Sequence, residues 1–347
     1  MHADTTGTKA SLAYLAWVAT GKLDMVRGLP IDALVMNVDD IACAGFVDRI
    51  LANQTIGRNS FCVPPQVIEA IIDGAQRFCE MLQENNIDCY FAGGETATVN
   101  DIVRTIDVGS SVTSRMRRDQ VIDASEISPH NVIVGVSSTG KAKWESRKNS
   151  GIGSNGFTNA RHDALDKVYR SMRETYDPRT PKVYSGHYQL RDTLPGDLDF
   201  TMAEALLSPT RTYLPLVKLV LGRIKKYYIK GIIHCSGGGQ TKIMKFGKPG
   251  IRYVKDQPLE VPSLFKVLQE VSKITWREMY QVYNMGWRLE FVVLDKEVAD
   301  DIIAICASCG IHAQIVGYVE SKTSPGTDNE VRIITPYGEL NYPDKMQ

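Results

Sequence analysis

No stretch of this sequence comes near the roughly 18 consecutive apolar residues of a membrane-spanning helix. The first residues, Met1-His2-Ala3-Asp4-Thr5, also lack the basic-then-apolar layout of a secretory leader, so a cytoplasmic location is expected. Net charge is missing as well, because 40 Lys and Arg residues balance 40 Asp and Glu. A neutral chain has no global field to hold it on nucleic acid or an anionic membrane, and neither is expected as a partner. The first half holds neither a GxGxxG dinucleotide fingerprint nor a GxxxxGK(S/T) phosphate loop, and solenoid repeats are absent. The seven cysteines are odd in number and scattered through apolar stretches, with Cys306-Ala-Ser-Cys309 the one CxxC. That argues against a secreted disulfide framework. Without a second pair or clustered histidines, it assigns the cysteines no metal or redox chemistry.

What is present suffices for two cores. The 347 residues are about twice the ~100 to 200 of an ordinary domain, and 43% hydrophobic with 23% charged residues is globular composition. The spacing of Leu12, Ala13, Leu15, Ala16 and Ala19 predicts a helix over 9–20, closed by Gly21. A second stripe, Ile31, Leu34, Val35, Val38, Ile41 and Ala42, starts at Pro30 and ends at Gly45. Asp39 and Asp40 fall in its last turns, where acid opposes the helix dipole, so a cation or a catalytic need explains the pair better than helix stability. Strand character over 46–56 is followed by a helix from Pro64-Pro65. A short strand, 88–92, runs into Gly93-Gly94-Glu95-Thr96, and a β-like run at 103–116 completes a first half of α+β type. After a linker at 123–131, a buried strand at 132–136 opens a second half. There, helices (157–175, 203–207, 212–225, 264–270, 298–307) alternate with strands (232–233, 289–294, 313–319) as in an α/β domain. The expected domains are 1–127 and 128–347.

Four polar clusters interrupt the apolar pattern: Asp4-Thr-Thr-Gly-Thr-Lys9, Asp39-Asp40, Ala92-Gly-Gly-Glu-Thr96 and His234-Cys-Ser-Gly-Gly-Gly239. Glycines at strand ends and helix starts let phosphate oxygens approach free backbone N–H groups. Carboxylates beside them suit Mg²⁺, which takes one or two and completes its shell with phosphate and water. Together they are parts for phosphoryl transfer, though each alone is as well explained by a turn or a helix cap.

The order and wording of these clusters resemble the aminoimidazole ribonucleotide synthetase family, the phosphoribosylformylglycinamidine cyclo-ligases. The first cluster matches the family's D-G-x-G-T-K, and Asp32-Ala-Leu-Val-Met-Asn-Val-Asp-Asp40 matches D-x-x-A-M-x-V-N-D. Ala92 to Ala97 matches G-G-E-T-A, Gly151-Ile-Gly-Ser-Asn-Gly156 the S-N-G turn, Ser208-Pro-Thr-Arg-Thr-Tyr213 the P-T-R segment, His234 to Gly239 H-x-T-G-G-G, and Tyr283-Asn-Met-Gly286 F-N-x-G. The resemblance implies an N-terminal ferredoxin-like sheet that joins a second copy in a dimeric barrel, and a C-terminal α/β domain. It also implies ATP-dependent ring closure of formylglycinamidine ribonucleotide in purine biosynthesis, with Mg²⁺. Carried over residue by residue, it makes His234, Lys9 and Asp40 catalytic, with Lys9 a phosphate partner. ATP would meet Asp4, Thr8, Lys9, Asp39, Asp40, Gly93, Gly94, Glu95 and Thr96, and the metal Asp4, Asp40 and Glu95. Ser154, Asn155 and Gly156 with Gly237, Gly238 and Gly239 would hold substrate or phosphate.

Three features depart from the family pattern. Asp39 stands where the family has asparagine, adding a charge that would draw a second cation or repel nucleotide. Gly153 stands where a histidine normally precedes S-N-G, and a basic insertion, 141–148, occupies its approach as a phosphate-binding lid or a solvated loop. Three residues before Asp4 are too few for a full strand of ~5–6 residues, so the first sheet is expected to be incomplete or the chain shortened. A non-catalytic nucleotide-binding subunit, or another ATPase or small-molecule kinase of the superfamily, is the alternative.

Overall fold

The computed structural model describes residues 1–323, 326 and 328–343; the last positions of the expected second domain, 344–347, lie outside the described residues. The first half runs β1 (His2–Thr5), α1 (Lys9–Thr20), α2 (Asp24–Arg27), α3 (Leu29–Cys43), β2 (Ile50–Arg58), α4 (Pro65–Glu84), β3 (Cys89–Thr98) and β4 (Ile106–Thr113). Its sheet has the order β1-β4-β2-β3. The strict alternation of β2 buries Ile50, Ala52, Gln54 and Ile56 under the helices and leaves the opposite face open. On that open side Leu51 and Tyr90 are 54% and 55% exposed.

Helix α1 has the expected bounds, and its stop is physical: Gly21 adopts φ 70° and returns its N–H to Trp17 O at 2.7 Å. The short strand β1 does form, paired antiparallel with β4. Strand β3 continues through the Gly-Gly-Glu-Thr cluster to Thr98, past the expected turn. Its pairing with β2 is parallel and shifts register between Ala52 and Gln54. A Cβ on Gly94 would lie 1.8 Å from Gln54 O, so glycine is needed there for strand contact.

A connecting segment, 114–131, leads to β5 (Val132–Ser137), α5 (Phe157–Ala164), α6 (Met202–Leu206), α7 (Leu214–Arg223), β6 (Ile229–His234), β7 (Ile251–Lys255), α8 (Ser263–Ser272), α9 (Trp276–Val282), β8 (Trp287–Val293), α10 (Lys296–Ser308), β9 (Ala313–Ser321), β10 (Glu330–Thr335) and β11 (Gly338–Pro343). These strands form one sheet of order β11-β10-β7-β9-β5-β8-β6. Among the described residues only β10 and β7 pair in parallel within it, so the second half is a mixed α+β layer and not a regular parallel α/β sheet. The helix expected over 157–175 ends at Ala164. Leu165 turns extended and bridges Tyr188, and the Asp166 carboxylate then accepts Val168 N–H to start a 3₁₀ turn.

The two halves do not own separate cores. One buried cluster unites Leu12, Leu15 and Val67 with Phe157, Leu206 and Trp287. The other unites Leu34, Val38 and Phe78 with Tyr213, Leu216 and Phe291.

Candidate active site at the domain junction

Helix α3 carries the junction. Asp32 and Asp39 are two turns apart and so share one face, and both are buried against the segment 208–213. Asp32 Oδ1 accepts Thr210 N–H at 2.9 Å, Thr210 Oγ1 at 2.5 Å and Lys9 Nζ at 2.8 Å. Asp39 accepts Thr212 Oγ1 at 2.7 Å and Tyr213 N–H at 3.1 Å, and lies 3.4 Å from Arg288 Nη2. Its carboxylate thus sits at the N-terminus of α7, where free N–H groups need acceptors. Burial raises the Asp39 carboxyl above its usual value, against the lowering effect of His234, Arg288, Thr212 and Tyr213. The carboxylate added at position 39 is therefore met inside the protein by Thr212, Tyr213 and Arg288.

Lys9 is also an interior residue. Its ammonium donates to Asp32, to Gly153 O at 3.3 Å and to Ser208 O at 2.6 Å, and burial pulls its pKa down despite Asp32. Expected as a phosphate partner, Lys9 instead ties α1 to both the S-N-G turn and the P-T-R segment. With its three donors committed, it has none left for ATP.

Asp40, one residue past this face, points the other way. Its Oδ1 is 2.6 Å from His234 Nδ1, and its Oδ2 is 3.2 Å from His2 Nε2. On the far side of the His234 ring, Arg288 Nε donates to Nε2 at 3.1 Å. Because arginine can only donate, Nε2 must be the acceptor nitrogen and the ring proton must sit on Nδ1, facing Asp40. Burial alone would raise the Asp40 carboxyl, but the hydrogen bond from His234, with His2 and Lys242, holds it below the usual range. With both nitrogens engaged, His234 serves to orient Asp40 and has no free N–H for a phosphate. A 510 Å³ cavity opens beside the pair, with Lys242 and Lys245 on its wall.

The S-N-G turn and the glycine loop meet here. Asn155 Nδ2 donates to Ser236 Oγ at 2.7 Å, and Thr8 Oγ1 reaches Thr158 Oγ1, just beyond the turn, at 2.8 Å. Ser154 is tied to Asp32 and Thr210 at 3.4 Å each, and Gly156 starts α5 against the Tyr283 ring. Gly237, Gly238 and Gly239 all have positive φ; Gly237 faces open space, whereas Gly239 is packed against the Tyr280 and Tyr283 carbonyls. Asp4 and Glu95 do not join them. They lie on β1 and β3, the two edges of the first sheet, separated by three strand spacings, about 14 Å. Among the described residues no group of three or more His, Cys, Asp or Glu side chains could hold a metal. The expected Asp4, Asp40 and Glu95 set is therefore not assembled within one copy of the chain. Gly93, Gly94 and Thr96 go with Glu95 to the exposed edge strand.

Arg288, His2 and Arg211 were not legible as site residues. Arg211 donates to Ser137 O, Thr139 O and Gly140 O and pairs with Glu145 at 2.6 Å. Lys148 pairs with Asp197 and Asp199 at 2.8 Å. The basic insertion is thus anchored through Glu145 and Lys148, while Lys141, Lys143, Ser146 and Arg147 stay exposed. The cysteines are free thiols; burial pushes Cys306 up to about 12. No helix among the described residues is long and apolar enough to cross a membrane.

Two family models cover this architecture: "AIR synthase related protein, N-terminal domain" over residues 1–116 and "AIR synthase related protein, C-terminal domain" over 128–327. The chain belongs to the AIR synthase related family. Within that family it is 30% identical over 325 residues to a phosphoribosylformylglycinamidine cyclo-ligase of Methanococcus maripaludis, a match covering 93% of this chain and 78% of the relative. A protein of the same name from Methanocaldococcus jannaschii is 29% identical over 322 residues, covering 92% and 77%. The AIR synthase related fold recurs in solved structures. One is E. coli HypE, a hydrogenase maturation protein (TM-score 0.56, 15% identity, 92% of this chain and 80% of that one). Another is the thiamine monophosphate kinase of Aquifex aeolicus (TM-score 0.53, 13% identity, 91% and 82%).

Proposed function

We propose that this chain is an ATP-dependent cyclo-ligase that closes formylglycinamidine ribonucleotide to aminoimidazole ribonucleotide in purine biosynthesis, working in the cytoplasm as a homodimer. The observation that carries this reading is the junction itself, where the S-N-G turn is hydrogen-bonded to the glycine loop beside the Asp40–His234 pair. The relatives named above add to it, with the same reaction in their name.

In this mechanism the substrate's amide oxygen attacks the γ-phosphorus and ADP leaves. An internal nitrogen then attacks the activated carbon, the C–O bond breaks, phosphate departs and the nitrogen loses its proton. Asn155, Ser236 and Gly237 would hold the substrate folded for an intramolecular attack, which is worth far more than a bimolecular one. Asp40, held ionised by His234, is the junction's proton acceptor. Mg²⁺ enters as the MgATP ion, coordinated by phosphate oxygens and water. The dimer would use the open face of the first sheet, where Leu51 and Tyr90 are exposed.

The test is to incubate the protein with MgATP and formylglycinamidine ribonucleotide, following phosphate and aminoimidazole ribonucleotide together. Equal amounts of both are expected. ADP release without the imidazole, or phosphorus NMR showing phosphate retained on the product, would sink the proposal.

A further inference from the structure

A second cavity, of about 300 Å³, lies between the halves of the chain on the other side of the P-T-R segment. None of Asp40, His234, Asn155 or the glycine loop lines it. Its apolar floor comes from Ile31 on α3 and from Phe78 and Met81 on α4, and the insertion closes it with the Trp144 indole. Five cationic residues line it, Arg27, Arg77, Arg147, Lys148 and Arg211, against one carboxylate, Glu145. In a chain with 40 charges of each sign this is a marked local excess. Arg211 is neutralised by Glu145, Lys148 by Asp197 and Asp199, and Arg27 and Arg77 share Asp73. Arg147 has no ion pair among the described residues. One N–H donor at the wall, Trp144 Nε1, is buried without a hydrogen bond, whereas Arg27 Nε faces the Asp24 carboxylate at 3.5 Å. A buried donor left unpaired is costly, and it marks a place where an acceptor is missing.

We propose that this cavity binds a purine nucleoside monophosphate, at a site separate from the Asp40–His234 centre. The apolar floor and the indole suit a flat aromatic ring, and the unpaired indole N–H suits one of its ring nitrogens. The arginines suit one phosphate group. The volume is at the small end of ligand cavities, ~300 to 1,000 Å³, and excludes a dinucleotide. Thr210, Arg211 and Thr212 line the cavity on one side, and Thr210 and Thr212 hold Asp32 and Asp39 on the other. A ligand that stiffens this segment acts on α3 and, through it, on Asp40, so binding at the two sites is coupled reciprocally. The inference does not rest on the proposed ring closure.

AMP is the probe, titrated calorimetrically and by tryptophan fluorescence with the junction saturated by a non-hydrolysable ATP analogue. One AMP per chain is expected. Trp144→Phe, which keeps the ring and loses the N–H, should weaken AMP by roughly two- to tenfold. The double variant Arg77→Ala/Arg147→Ala should weaken it at least about tenfold and flatten its salt dependence. Met81→Trp should block it by filling the floor without touching an ion pair, and thermal melts identify any variant that has unfolded. Asp40→Asn, at a residue that lines no part of the cavity, should still bind one AMP per chain, with an affinity shifted only by the coupling. No saturable AMP binding at millimolar concentration would overturn the proposal. So would binding that Asp40→Asn abolishes while Trp144→Phe and Met81→Trp leave it intact.

Discussion

Arg288 shows how much a single side chain sets at the junction. Its Nε fixes the His234 tautomer, its Nη2 reaches Asp39 and Arg211 O, and its Nη1 lies 3.6 Å from where a Cβ on Gly153 would be. A guanidinium from β8 thus occupies the space beside the position where the family pattern has histidine. Arg288→Met should lower kcat about ten- to a hundredfold, the usual cost of removing an outer partner of a functional side chain, with a smaller change in KM. Nitrogen-15 NMR should report loss of the fixed Nδ1–H form of His234; an unchanged tautomer would show that Arg288 does not position the ring. Lys9→Met leaves Asp32 buried without its cation and should cost about 3–5 kcal/mol in denaturant unfolding. Lys9 also marks where residue-level reading fails. Its motif was legible, but burial, which decides whether a lysine can meet phosphate or only the protein's own oxygens, is a property of the folded chain. Arg288 carried no local signal, because its partners His234 and Asp39 are 54 and 249 positions away.

Helices α3 and α4, with long apolar stripes, and α1, apolar over most of its surface and closed by Gly21, were legible because these signals are local. Strands β7, β10 and β11 were not. Each is five or six residues long, and β7 is defined by ladders to β9 and β10 some 65 to 80 positions on. The glycine loop after β6 was legible as a motif but not in its division of labour. Gly239→Ala would place a Cβ 2.5 Å from Tyr283 O and 2.6 Å from Tyr280 O, both rigid backbone. Gly237→Ala meets no atom within 4 Å and carries only the left-handed penalty of about 1–2 kcal/mol. Thermal melts should therefore rank Gly239→Ala well below Gly237→Ala; equal melting would mean that the loop is free to move away from α9.

Carboxylates tie the two halves of the molecule together, and acid should loosen them. Asp40 is held low by His234 and Asp48 by its hydrogen bond to Lys218, each against the raising effect of its burial. A carboxyl whose folded value is depressed contributes its full stability above the unfolded value of about 3.9 and loses it as pH falls through the folded value. Asp39, raised by burial, works in the opposite sense and blunts the effect. Melting temperature should fall steeply below about pH 4 and less so in Asp48→Asn, whose pair with Lys218 is already lost; coincident profiles would remove Asp48 from the account. If the open face of the first sheet joins two copies, Leu51→Arg with Tyr90→Arg should give monomers by light scattering, and an unchanged mass would place the contact elsewhere. The two-domain plan was legible at this scale, but the sharing of both cores was not, since motif order says nothing about which apolar stripes meet. The links from Asp32 to Thr210 and from Asp39 to Thr212 span 178 and 173 positions. At the ~5–20 residues per second of protein synthesis, helix α3 leaves the ribosome roughly 10 to 35 s before its acceptors have donors. Until then two carboxylates on an otherwise apolar face keep that face wet, so the first half waits, partly open and in need of protection, for the second to be made.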